Sequence, residues 1–233
     1  MEEKLTIIAA TKNQHKIAEF RSIFSAIPAG EAHVISEDEA VRSYAAGAVR
    51  TYTAPEETGS TFAANAFIKA AGIYRFLREF FPSARDGDIL IAADDSGLSV
   101  SALQGAPGVL SARYASDTGE NASDSENVAK LLCNMEAVPD QKRGAYFTCA
   151  IAAILIRKAG GPVEIFTAAG HLPGLIAREP RGSHGFGYDP VLYLPEYGKC
   201  VAELDPAQKD AISHRGKALR RLADQCYGNY SNV

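Results

Sequence analysis

The run Ile89-Leu90-Ile91-Ala92-Ala93 passes directly into Asp94-Asp95-Ser96-Gly97, and this junction constrains the chain more than any other stretch. A short apolar run rich in branched residues predicts a buried strand. Polar side chains that follow such a strand emerge at the edge of the sheet, where open α/β sheets place their sites. From local sequence alone, Asp94-Asp95-Ser96-Gly97 is equally an acidic turn.

The flanking patterns fit an α/β arrangement. Lys4 to Ala10 is β-like, and Ile17, Phe20, Phe24 and Ile27 recur at helical spacing, so the chain opens as strand, loop and helix, with Thr11 to Lys16 in the loop. From Glu37 to Pro55 the residues turn polar and small without a period, which predicts an irregular or partly helical excursion. After Ser60, the positions Phe62, Ala66, Ile73, Leu77 and Phe80 keep one helical face apolar until Pro82 stops it. Ser123 with Glu126 three residues on predicts a capping box, ahead of an apolar face of Val128, Leu131, Leu132 and Met135. Two strands, Ala145 to Ile156 and Val163 to Ala168, flank the turn Ala159-Gly160-Gly161-Pro162 and make the sheet mixed. A short strand is expected at Val191 to Leu194. Asp205 and Pro206 read as N-cap and first helical residue, and a last helix runs from about Arg215 to Cys226.

At 233 residues and 46% hydrophobic content, the chain buries enough surface for one domain spanning 1–233, either a single body or two joined lobes. No repeat or Pro/Gly/Ser linker divides it. The net charge of −4 supplies no general attraction for a nucleic-acid backbone. The apolar run Leu5 to Ala10 is too short for a membrane span or signal-peptide core. Cys133, Cys149, Cys200 and Cys226 are scattered without C-x-x-C spacing, so neither zinc nor a disulfide framework is expected, and reduced thiols in a cytoplasmic protein are.

Four segments carry residues suited to chemistry. Thr11-Lys12-Asn13-Gln14-His15-Lys16 lies at a strand-to-helix junction, whose amides and lysine suit an anion, although it lacks the Walker pattern. Asp94 and Asp95, joined by Glu56 or Glu57, offer oxygen ligands for Mg²⁺. In Ser183-His184-Gly185-Phe186-Gly187-Tyr188-Asp189-Pro190 the glycines allow close backbone approach and Phe186 is a ring on which a base can stack. Lys209 and Ser213-His214-Arg215-Gly216 supply donors for phosphate or purine edges. Taken singly, each is also readable as a solvated helix start, a turn or a core aromatic.

In this order the segments resemble the Ham1/RdgB family, the inosine triphosphate pyrophosphatases. The resemblance runs through Thr11 to Lys16, Glu56 to Phe62 with Asn65-Ala66 and Lys69-Ala70, Ala93 to Leu98, Gly105 to Gly108 with Ser111 to Tyr114, Gly185 to Pro190, and Ala211 to Gly216. His15 and His184 stand where the family commonly has glycine, Cys200 where it has threonine, and the stretch from Glu37 to Pro55 is longer than usual. The resemblance implies an elongated two-lobed α/β fold with a central mixed twisted sheet flanked by helices, a substrate cleft between the lobes, and a homodimer. It implies that Thr11, Lys12, Asn13, Gln14, His15 and Lys16 hold the triphosphate, that Glu57 and Asp95 serve Mg²⁺, and that Asp95 accepts a proton while Asp94 supports it. Ser96, Phe186, Gly187, Tyr188, Asp189, Lys209, His214 and Arg215 would contact the substrate, chiefly around the base.

The implied activity is Mg²⁺-dependent hydrolysis of non-canonical purine triphosphates such as dITP and XTP to monophosphate and pyrophosphate. A Maf-like pyrophosphatase with another base preference and a non-catalytic nucleotide-binding regulator are the alternatives. A haloacid-dehalogenase-type phosphatase needs a D-x-D nucleophile pattern, which Asp94-Asp95-Ser96 does not supply. Neither nucleic acid nor membrane is an expected partner, since basic and aromatic residues do not interleave into a stripe.

Overall fold

The structure is a computed structural model that describes residues 5–25, 32–46, 51–80, 87–158 and 160–230, with side chains described through Cys226. Lys4, Ile27, Pro82, Ala159 and residues 47–50, to which sequence patterns were assigned above, lie outside the described residues. The chain divides into two compact units. Unit 1 comprises Met1–Asp95, Ala150–Ala169 and Ala218–Val233, and unit 2 comprises Ser96–Cys149 and Gly170–Lys217.

The strands are β1 (Leu5–Ala9), β2 (Ala32–Ser36), β3 (Asp88–Val100), β4 (Gly144–Ile156), β5 (Glu164–Ile176), β6 (Leu192–Leu194) and β7 (Lys199–Cys200). They hydrogen-bond in the order β2-β1-β3-β4-β5-β6-β7. β1 pairs parallel with both β2 and β3, while β6 pairs antiparallel with β5 and β7, so the sheet is mixed, as expected. The helices are α1 (Gln14–Ser25), α2 (Glu37–Tyr44), α3 (Phe62–Leu77), α4 (Asp124–Asn134), α5 (Pro206–Ile212) and α6 (His214–Tyr230). No described helix is long and apolar enough to cross a membrane.

In unit 1, Ile8 of β1 and Ile89, Ile91 and Ala93 of β3 meet Ala70, Ile73 and Leu77 of α3 in one apolar cluster. The alternate positions Ile7, Leu90 and Ala92 are equally buried, so the first half of β3 is covered on both faces, which its unbroken apolar sequence requires. In unit 2 a second cluster gathers Leu98 and Val100 of β3, Val128 and Leu131 of α4, Ala145 and Phe147 of β4, and Leu172 and Ile176 of β5.

Several boundaries depart from the sequence reading. β3 does not end at Ala93 but continues through the acidic pair to Val100, because Leu98 and Val100 resume burial in the second cluster. β5 extends past Ala168 to Ile176 with alternating burial, although Gly170, Pro173 and Gly174 weaken its β pattern. The excursion from Glu37 opens as α2, capped reciprocally by Ser36 and Glu39, and β2 precedes it. α3 starts from Thr61, whose side chain accepts from Ala64 N–H, and it ends at Leu77, before Phe80. α1 begins at Gln14, so only residues up to Asn13 form the loop.

The capping box at Ser123/Glu126 forms as read, and Asp205 caps α5 as read with Pro206 in its first turn, to which the structure adds a reciprocal bond from Gln208. Ser123 Oγ accepts from Glu126 N–H at 3.3 Å. Ser123→Ala is expected to lower unfolding free energy by about 1 kcal/mol in urea titration; no change in midpoint would show that the cap contributes nothing.

Candidate functional site

Ala10 N–H donates to Ala92 O at 2.8 Å, extending the pairing of β1 with β3, and this sets the loop after β1 beside the acidic pair in β3. The loop is held by its own side chains. Thr11 Oγ1 accepts from Asn13 N–H at 3.2 Å, and Asn13 Oδ1 accepts from His15 N–H at 2.9 Å and Lys16 N–H at 3.3 Å. Asn13 therefore caps α1 and engages two of the four amides that a helix start leaves open. Lys12, Asn13, Gln14 and His15 are exposed. Lys12 Nζ lies 3.9 Å from Glu37 and 4.0 Å from Asp38, a pairing between a solvated ammonium and the first turn of α2 that contributes about 0–1 kcal/mol.

Lys16 turns the other way. Its Nζ lies 3.0 Å from Asp94 Oδ2, with the lysine side chain 16% exposed and the aspartate wholly buried. Successive strand residues point to opposite faces, so Asp95 leaves the sheet on the other side from Asp94 and meets α3.

There the i, i+4 pair Asn65 and Lys69 presents one polar stripe beside the apolar positions Ala66, Ala70, Ile73 and Leu77 of α3. Asn65 Nδ2 donates to Asp95 Oδ2 at 3.1 Å, and Lys69 Nζ stands 3.4 Å from Asp95 Oδ1 and 3.3 Å from Glu57 Oε2. Asn65 Oδ1 also accepts from Gly59 N–H at 2.7 Å, which draws the stretch carrying Glu57 onto α3. A Cβ at Gly59 would meet Asn65 Oδ1 at 2.6 Å and Ala64 Cβ at 2.8 Å, so this approach requires glycine. Lys16, Asp94, Asp95 and Glu57 all belong to unit 1 and come together in it. Asn65 and Lys69 were not singled out as site residues from the sequence; the signal was two polar residues one turn apart on the buried side of α3.

Burial pushes the Asp95 carboxyl above the usual aspartate range; Lys69 pulls it down and Glu57 pushes it further up, while Asn65 and Lys16 oppose the rise. Burial pulls the Lys69 ammonium down, but Asp95, Asp94 and Glu57 outweigh burial and leave it raised. The carboxylates of Glu57, Asp94 and Asp95 exceed the ammonium groups of Lys16 and Lys69 by one negative charge. A polyphosphate settles against such a cluster only with a further cation.

The acid set suits a hard divalent ion. Lys69 Nζ occupies the gap between Glu57 and Asp95, a place defined by oxygen donors on both sides. Among the described residues no three His, Cys, Asp or Glu side chains form a metal cage. Two carboxylates completed by phosphate oxygens and water are the ligand set that Mg²⁺ commonly takes.

In unit 2 a second group assembles around Phe186. Its ring lies 4.7 Å from Lys209 Nζ and 5.6 Å from the Arg215 guanidinium carbon, within the range of cation–π attraction. Lys209 Nζ donates to Asp189 Oδ2 at 2.7 Å, and the same oxygen accepts from Phe186 N–H at 3.0 Å. Gly185 has φ +83°, and a Cβ there would meet Asp189 Oδ2 at 2.1 Å. Arg215 Nη2 donates to Ser96 Oγ at 3.3 Å, and the His214 ring stacks on Phe147 at 4.8 Å with planes 17° apart. Tyr188 is buried, and its hydroxyl donates to Ser111 O at 2.9 Å. Tyr188 and Asp189 thus anchor the turn, while the half-buried Phe186 is the ring it presents. The group offers donors from Lys209 and Arg215 beside an aromatic face, which suits a planar base bearing oxo acceptors.

A family profile described as the Ham1 family matches residues 7–225. A dITP/XTP pyrophosphatase of Geobacillus kaustophilus (strain HTA426) is 43% identical over 221 residues, covering 94% of this chain and 93% of that protein. One from Escherichia coli (strain K12) is 41% identical over 218 residues, covering 94% and 96%. Among solved structures, a HAM1 protein from Coxiella burnetii superposes with a TM-score of 0.75 at 38% identity, covering 96% of this chain and 99% of that one. The Staphylococcus aureus Ham1 protein gives 0.74 at 37% identity, with the same coverage. With the mixed sheet, the acid–lysine cluster beside α3 and matches of this extent, the chain belongs to the Ham1 family.

Proposed function

We propose that this protein hydrolyses non-canonical purine nucleoside triphosphates, dITP and XTP among them, to the monophosphate and pyrophosphate, with Mg²⁺ as its metal. The observation that carries the reading is the Lys69 ammonium held between Glu57 and Asp95, next to the pair formed by Lys16 and Asp94. The relatives' names, dITP/XTP pyrophosphatase, supply the substrate class.

In this reading Glu57 and Asp95 hold Mg²⁺, which when bound neutralises phosphate charge and acidifies water. The loop from Thr11 to Asn13 and the first turn of α1 with Gln14 and His15 receive the phosphate tail, and Lys16 stabilises charge as the bond between α- and β-phosphates breaks. Asp95 takes the proton of the attacking water. The water oxygen joins the α-phosphorus, and the bridging oxygen leaves with pyrophosphate. Asn65 and Lys69 keep the Asp95 carboxylate oriented.

The base goes to Phe186, Lys209, His214 and Arg215, with Ser96 held by Arg215. Donors there favour the 6-oxo edge of hypoxanthine and xanthine, whereas an adenine amino group would leave them without acceptors. The same reading includes the homodimer that the family resemblance implies and a reducing cytoplasm, in keeping with four free cysteines.

Pyrophosphate release from dITP, XTP, GTP and ATP in Mg²⁺ tests the assignment. Turnover of dITP and XTP is expected to exceed that of ATP by at least about 100-fold in kcat/KM, the scale set by mismatching a polar edge. Equal rates across the four would remove the purine preference, and a better modified pyrimidine would point to a Maf-like enzyme.

A further inference from the structure

Gly187 N–H, at the apex of the Phe186 turn, donates to Asp124 Oδ2 at 2.6 Å across 63 residues of sequence. Other ties hold the turn on either side of that amide. Asp189 holds Phe186 N–H, Tyr188 reaches Ser111 O, and His184 N–H donates to Ala202 O. Gly187 itself has φ +62°, and the 186–187 peptide is held at both ends, its N–H by Asp124 and its carbonyl by Asp189 N–H at 3.3 Å. The Asp124 acceptor stands on a rigid base. Asp124 opens α4, which is fixed by the Ser123/Glu126 capping box and buries Val128 and Leu131 in the unit 2 core.

Asp124 is exposed and adds nothing to that core, yet it spends a charged acceptor on one backbone amide. Phe186 is the residue directly before that amide, and its ring stands 4.7 Å from Lys209 Nζ and 5.6 Å from the Arg215 guanidinium carbon. We propose that Asp124 is a positioning residue for base recognition, clamping the Gly187 amide so that Phe186 is presented in its binding orientation. The proposal rests on the reading of Phe186, Lys209 and Arg215 as the base site. Asp124 bonds to the turn that carries Phe186, so it acts on affinity for the base and not on bond cleavage.

The test compares wild type, Asp124→Ala and Asp124→Asn, with dITP as substrate and IMP and inorganic pyrophosphate as inhibitors. In Asp124→Ala, KM for dITP and the inhibition constant for IMP are expected to rise about tenfold, the scale of one charge-assisted bond at an exposed site. The kcat and the inhibition constant for pyrophosphate should stay within about twofold, because binding of the phosphate tail is left in place. Asp124→Asn keeps an acceptor oxygen and should recover part of the loss. Unchanged KM and IMP inhibition in an active Asp124→Ala enzyme overturns the proposal alone, as does equal weakening of IMP and pyrophosphate accompanied by a lower Tm. A folded wild type without dITP turnover overturns the function reading and this proposal together.

Discussion

Asp95→Asn is expected to lower kcat on dITP by about 10³-fold or more, within the range of losing a positioned proton acceptor together with a metal carboxylate. The substitution is nearly isosteric, and Asn65 and Lys69 keep their places through Gly59 and Glu57. The effect therefore falls on chemistry more than on architecture. Stability should respond in the opposite direction. Burial, against the pull of Lys69, raises the Asp95 carboxyl in the folded state, so the folded protein favours its protonated form more than the unfolded chain does. Such a group costs stability as pH rises from the ordinary aspartate range through its raised folded value, and the cost persists at neutral pH. Asparagine removes that cost. Thermal unfolding at pH 7 should thus give a Tm equal to or above wild type, alongside lost turnover. Retained turnover in Asp95→Asn, or a collapse of Tm with it, would contradict the role assigned to this carboxylate.

The largest expected effect on stability comes from Arg143, a residue with no part in the chemistry. It is 3% exposed. Its Nε donates to Ile176 O at 2.7 Å, Nη1 to Met135 O at 2.6 Å and Val138 O at 3.3 Å, and Nη2 to Ala177 O at 3.0 Å. Met135 is the C-cap of α4, where carbonyls lack helical partners and a cation complements the helix dipole. One guanidinium thus ties the end of α4 to the start of β4 and the end of β5, and Ile176 N–H returns a bond to Arg143 O at 2.9 Å. Arg143→Met fills the space but leaves those carbonyls without donors. A loss of about 3–5 kcal/mol is expected, because each buried acceptor stranded by a charged donor costs about 1–3 kcal/mol with partial relaxation. Urea unfolding at neutral pH measures it, and a loss below about 1 kcal/mol would show that the carbonyls find other partners.

The parts of this molecule that sequence made legible are those governed by local rules. Ser123 and Asp205 cap helices through bonds to residues three further on, and Pro206 marks the first turn after Asp205, so local sequence locates both starts. The apolar run at Ile89 marks a strand, and the acids after it mark a site. What stayed illegible depends on partners far along the chain. Asp94-Asp95-Ser96-Gly97 has the composition of a turn, yet it remains strand because Lys16 and Lys69 neutralise the acids and Leu98 and Val100 find a second core. Lys69 reads as one polar residue on an apolar helix until Glu57 and Asp95 are seen to flank it. β2 escaped notice because its apolar content is only Ala32, Val34 and Ile35, and its pairing with β1 completes it. In the same way, nothing local shows that Tyr188 and Asp189 are engaged by Ser111, Lys209 and the backbone of Phe186.

Phosphorus NMR of dITP incubated with the protein and Mg²⁺ in ¹⁸O-labelled water tests the central claim most directly. dIMP and pyrophosphate are expected in equal amounts, with the label on the monophosphate because water joins the α-phosphorus. Release of dIDP and inorganic phosphate, or label appearing in pyrophosphate, would contradict it.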